Sequence, residues 1–101
     1  MTELQAIARY TMTAGREEEL LALLTEFAKL VRQEPGNLSF DVYRHLDDPR
    51  KVVLLERYQS REAFAQHLAA EYFRAYVLAE FIPRLDERTV ELLDVEAADQ
   101  Q

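Results

Sequence analysis

The stretch Glu34-Pro35-Gly36-Asn37-Leu38-Ser39-Phe40-Asp41-Val42-Tyr43 decides the architecture. Upstream of it, Arg16 to Gln33 carries Leu20, Leu23, Leu24, Phe27, Leu30 and Val31 at three- and four-residue spacing, an apolar stripe along one helix face. Glu17, Glu18 and Glu19 lie in the first turn, where they complement the positive end of the helix dipole. Pro35 disfavours helical geometry at Glu34 and Gly36 can turn the chain, so the helix stops here. Downstream, Leu38, Phe40 and Val42 alternate with Ser39, Asp41, Tyr43 and His45. That period of two predicts a strand over 38–45, with Leu38, Phe40 and Val42 on one face.

Working outward, Leu4 to Met12 also alternates and predicts a first strand, broken by Thr13-Ala14-Gly15. Asp47-Asp48-Pro49-Arg50 has turn composition, and Lys51 to Gln59 beyond it predicts a hairpin partner for the second strand. Ser60 is an N-cap candidate for a helix running to about Ala70, with Glu62 in its first turn. Glu71 to Phe81 is helical in character, with Tyr72/Tyr76 and Phe73/Val77 as i,i+4 pairs, and Pro83 ends it. Arg88 to Glu96 predicts a fourth strand, and Ala97 to Gln101 a frayed tail. The order strand–helix–strand–strand–helix–strand is the split βαβ pattern of the α+β, ferredoxin-like class, an antiparallel sheet with helices on one side. Apolar residues occupy both strand faces: Ile7 opposes Leu4, and Val53 and Leu55 oppose Val52 and Leu54. A second subunit packing sheet to sheet would cover the open face.

At 101 residues the chain is expected to form one domain over 1–101, its core spanning about 3–96. The net charge of −7, with Lys and Arg dispersed, argues against nucleic acid and anionic membranes as partners. No cysteine is present, which removes disulfides and thiolate chemistry. No secretory leader or membrane span is visible, so the expected location is cytoplasmic. With two histidines far apart in sequence, no metal site is expected.

His67 lies beside the apolar stripe of its helix, three residues after Phe64. There it is either a hydrogen-bonded core histidine or a proton-transfer group facing a pocket. Glu56 shares a strand face with Val52, Leu54 and Tyr58. Such a carboxylate is paired, with an arginine or with His67, or has a raised pKa and acts as a base. Tyr58 offers a phenol, or is a strand aromatic. Asn37 either bonds its own turn or reaches a ligand. His45, beside Asp47 and Asp48, reads as a solvated turn residue.

The run Glu34 to Tyr43, followed by Val53-Leu54-Leu55-Glu56-Arg57-Tyr58, Phe64, His67-Leu68 and Tyr72-Phe73, resembles the antibiotic biosynthesis monooxygenase family over roughly residues 3–96. The resemblance implies a homodimeric α/β barrel joined through sheet faces. It also implies a cofactor-independent monooxygenase of small quinol or polyphenol substrates, with no cofactor. His67 and Glu56 would handle protons; Asn37, Phe40, Tyr58, Phe64, Tyr72 and Phe73 would bind the substrate. Many relatives carry a histidine where Tyr72 stands. Haem-degrading members resemble the chain in outline, but Ala8, His67 and Val77 depart from their pattern. Two alternatives stay open: an isomerase of a small carbonyl or phosphosugar-derived compound, and a non-catalytic dimeric binding module.

Overall fold

Alternation in the first strand becomes burial in three dimensions. Leu4, Ala6, Ala8, Tyr10 and Met12 of β1 (Thr2–Met12) are buried, while Gln5 and Ile7 are half-buried and Arg9 is exposed. A computed structural model describes residues 2–96; the tail expected to fray lies outside the described residues. After β1 come α1 (Glu17–Val31), β2 (Asn37–Arg44), β3 (Lys51–Tyr58) and α2 (Arg61–Ala69). A single α-helical turn, α3 (Glu71–Phe73), continues as a π-helix over Arg74–Phe81 and a 3-10 turn over Ile82–Arg84, and β4 (Leu85–Glu96) ends the fold. All strand pairs are antiparallel, in the order β2-β3-β1-β4. This is the ferredoxin-like α+β arrangement.

The helices cover one sheet face. Leu20, Leu24, Phe27 and Val31 of the α1 stripe are buried against Phe40, Val52 and Leu54 of the sheet. Phe27 packs edge-on against Phe40 and Phe81, with ring centroids 5.7 and 5.2 Å apart. Ser60 caps α2 as its sequence suggests, its hydroxyl accepting from the Ala63 N–H at 3.0 Å. Two glycines are placed by need. Gly15, in the β1–α1 turn, has φ +88°, a conformation costly for any residue with a Cβ. Gly36 needs space instead: a Cβ there would lie 2.4 Å from the Ala63 Cβ of α2.

Three local features differ from the sequence reading. The register of β2 against β3 shifts between Asn37 and Ser39, so Leu38 is an extra, bulged residue. Leu38 is therefore 51% exposed rather than aligned with Phe40 and Val42, and Asn37 pairs with Tyr58 instead. The segment after Phe73 is wider than an α-helix, the Ile82 N–H bonding the Val77 carbonyl five residues back. β4 begins at Leu85, immediately after the turn holding Pro83, rather than at Arg88.

Among the described residues, no helix covers the other sheet face. Ile7, Val53 and Leu55 are half-buried there, and Tyr43 and Leu93 are about half exposed. Among the described residues, no helix is long and apolar enough to cross a membrane.

Candidate functional site

Glu56 faces the helices because the alternation Val52, Leu54, Glu56, Tyr58 carries it onto the inner side of β3, between Ala6 on β1 and Phe40 on β2. It is 6% exposed. Its Oε1 accepts a hydrogen bond of 2.8 Å from the Tyr58 hydroxyl. Burial pushes its pKa from the ordinary 4.5 up to about 7, and the charge of Glu34 adds to the rise. The Tyr58 bond and the Arg88 charge pull the other way without cancelling it. Burial, helped by the Glu56 charge, likewise holds the Tyr58 phenol well above its usual value.

His67 descends from α2 onto this carboxyl. It is 2% exposed and ringed by aromatics: Tyr58 and Phe73 at 5.2 Å, Phe64 at 5.9 Å and Phe27 at 6.0 Å between ring centroids. Its Nδ1 lies 2.9 Å from Glu34 Oε2. Its Nε2 lies 3.9 Å from Glu56 Oε1, beyond direct hydrogen-bond reach. Tyr72 donates its hydroxyl to the same Glu34 oxygen. Two carboxylates from different loops and strands thus flank one imidazole.

The arrangement changes the sequence reading in one respect. The direct partner of His67 is Glu34, not Glu56. Glu34 was legible only as the residue at which the helix stops; its contact spans 33 positions and depends on how α2 packs on the turn. Glu56 itself bonds the Tyr58 hydroxyl, with His67 nearby, and among the described residues of this chain it makes no ion pair with an arginine.

A small cavity of about 50 Å³ lies between sheet and helices. Glu56, His67, Phe64 and Phe73 line it, together with Ala6, Ala8, Val77, Val90 and Arg88. The other expected site residues stand behind this wall. Tyr58 holds Glu56, Tyr72 holds Glu34, and Phe40 packs in the core on Phe27. The Asn37 amide donates to the Ser39 carbonyl at 3.0 Å, the local turn bonding expected of an asparagine there. His45 is exposed in the hairpin turn, its Nδ1 accepting from the backbone N–H groups of Asp47 and Asp48 at 3.0 Å each. A larger hollow of about 530 Å³ opens on the helix-free side of the sheet, near Arg9, Thr11, Tyr43, Lys51 and Val53. Its lining also includes His45 and Glu87, which no hydrogen bond or ion pair among the described residues joins: Glu87 accepts from the Thr11 hydroxyl and His45 is engaged with its own turn.

Comparison with known proteins agrees with this architecture. Rv0793 of Mycobacterium tuberculosis, a candidate monooxygenase by name, is 34% identical over 70 residues, covering 69% of this chain and 68% of that protein. Its solved structure covers 97% of each chain at 28% identity with a TM-score of 0.81. SO0527 from Shewanella oneidensis shares the fold at a TM-score of 0.88, with 22% identity over 93% of this chain and 91% of that one. PA3566 from Pseudomonas aeruginosa does so at 0.86, with 24% identity over 96% and 97%. The sequence profile described as antibiotic biosynthesis monooxygenase matches residues 4–79. With most of the chain inside that match, including Glu34, Glu56 and His67, the protein belongs to the antibiotic biosynthesis monooxygenase family.

Proposed function

We propose that this chain is a cofactor-independent monooxygenase of a small, electron-rich hydroxy-aromatic compound. One observation carries the reading: Glu56 and His67 face the same apolar cavity with their polar atoms 3.9 Å apart. A phenolic hydroxyl entering that gap meets two proton acceptors in a site that excludes water. Loss of its proton gives a phenolate, from which one electron passes to oxygen far more readily. Recombination of the resulting radical with superoxide forms a carbon–oxygen bond. Proton return and loss of water then leave a carbonyl, with one oxygen atom in the product and one in water. Phe64 and Phe73 contact the ring, while Tyr58 orients Glu56.

The cavity has room for one or two water molecules, whereas ligand pockets ordinarily measure about 300–1,000 Å³. Admission of an aromatic ring therefore requires the wall made by α2, α3 and the π-helix to move away from the sheet. A homodimer joined through the helix-free sheet faces completes the proposed assembly, which buries Ile7, Val53 and Leu55.

Oxygen uptake by metal-free protein with a panel of quinols and catechols, beside His67→Ala, tests the reading. Uptake that depends on the protein and falls about 10²–10⁴-fold in the variant is the expected result. Turnover that proceeds equally without oxygen would instead show an isomerase using the same proton-transfer pair. Saturable binding of an unaltered aromatic, indifferent to loss of His67, would show a binding module.

A further inference from the structure

The catalytic reading leaves Glu34 without a task, although it is the group in closest contact with His67. It comes from the turn after α1, does not line the cavity, and has a side chain 17% exposed. Both of its contacts meet at one oxygen: Oε2 receives the Tyr72 hydroxyl and faces His67 Nδ1 at 2.9 Å. An ionised carboxylate can only accept hydrogen bonds, so the Nδ1 side of the ring must carry a proton for the contact to be favourable. In a neutral imidazole the other nitrogen is then bare.

We propose that Glu34, braced by Tyr72, is a positioning residue that holds His67 as the Nδ1–H tautomer and so aims the Nε2 lone pair at Glu56 and the cavity. The aromatic ring of contacts from Tyr58, Phe64, Phe73 and Phe27 fixes the imidazole plane, so the tautomer is set by Glu34 and not by ring rotation. When Nε2 takes a proton from a hydroxyl in the cavity, the ring becomes an imidazolium and the Glu34 carboxylate offsets its charge. Without Glu34, the proton would equally sit on Nε2, where it would face Glu56 and leave the ring no acceptor toward the cavity. The charged and titratable groups around the ring are Glu34 and Tyr72 on one side and Glu56 and Tyr58 on the other, with Arg88 across the cavity.

The role of Glu34 in catalysis rests on the reaction proposed above, but the tautomer does not, and it can be read without substrate. Nitrogen-15 NMR of the His67 ring in the wild-type protein at mildly alkaline pH should show a protonated Nδ1 and a bare Nε2. Glu34→Ala should mix the two tautomers, and Tyr72→Phe, which spares the Glu34 contact, should preserve the wild-type pattern. With an active substrate, Glu34→Gln should lower kcat by at least about tenfold and leave KM unchanged, since Glu34 does not line the cavity. A wild-type ring bearing its proton on Nε2, or on both nitrogens under these conditions, would overturn the proposal, even if Glu34→Ala did not fold. So would an unchanged pattern in a folded Glu34→Ala. A bare Nε2 in a protein that consumes no oxygen with any quinol would count against the monooxygenase and leave the tautomer standing.

Discussion

Gly36 and Ala63 approach so closely that a methyl group on Gly36 would lie 2.4 Å from the Ala63 Cβ. The contact seats the start of α2 on the turn between α1 and β2. That turn carries Glu34, and α2 carries His67. The glycine therefore sets how near the carboxylate and the imidazole can come, although it touches neither ring nor cavity.

Gly36→Ala should destabilise the protein by about 1–3 kcal/mol, the usual cost of forcing a methyl group into a filled site. The clash is with another methyl-bearing residue, so Ala63→Gly in the same chain should recover part of the loss. Thermal unfolding of both single variants and the double variant measures this coupling. Additive losses would show that the two positions do not press on each other.

Glu56 should make stability fall with pH in a defined window. Its ordinary pKa is 4.5 and its folded value about 7, so between these the folded protein keeps a proton that the unfolded chain has lost. The favourable contribution is complete below about 4.5 and is lost as pH rises to about 7. The full difference amounts to about 3 kcal/mol. Glu56→Gln should flatten this decline in urea unfolding measured across the window. An equally steep decline in the variant would place its origin elsewhere.

Tyr58→Phe should push the Glu56 midpoint above about 7, because the Tyr58 hydroxyl bond favours the charged carboxylate and holds the value down. Carbon-13 NMR of the Glu56 carboxyl through a pH titration reads the shift directly. A lower midpoint in the variant would mean that the bond favours the neutral acid. In the active enzyme the alkaline shift should appear as a loss of rate near neutrality that is restored at higher pH.

The elements that position the site were legible because each rests on local chemistry. Alternation put Glu56 and Tyr58 on one face, Ser60 marked the start of α2, and the spacing from Phe64 turned His67 inward. The family resemblance, carried by the run from Glu34 to Tyr43, agreed with the βαββαβ order that the periodicity predicts. What escaped depends on contacts that local pattern does not encode. The bulge at Leu38 is a property of pairing with β3, and alternation alone assigns that residue to the wrong face. The π-helix reads as α because Tyr72/Tyr76 and Phe73/Val77 fit four-residue spacing; its widening shows only in the Ile82–Val77 bond. Glu34 was hidden for a similar reason. A glutamate before Pro-Gly ends a helix convincingly by itself, and its second partner lies 33 positions away on α2.

The helix-free sheet face gives a prediction about assembly. Ile7 on β1 pairs with Leu55 on β3, and Val53 lies on the same side, so an apolar strip runs along the middle of the sheet with no helix among the described residues to cover it. If two copies pack through these faces, a twofold axis brings each of these residues to the interface twice. Burying one such side chain contributes about 1.5–3 kcal/mol, so removing it from both subunits should weaken the dimer about 10²–10⁴-fold. Leu55→Asp should therefore convert the dimer to a monomer at low micromolar concentration in analytical ultracentrifugation. Leu46, 96% exposed in the hairpin turn between β2 and β3, supplies the control: Leu46→Asp carries the same change of charge away from the strip and should leave the mass unchanged. A wild-type protein that sediments as a monomer, or a Leu55→Asp variant that stays dimeric, would move the assembly surface off this face. Because Leu55 points away from the cavity while its neighbour Glu56 points into it, the monomer should retain the Glu56 titration even as it loses the partner.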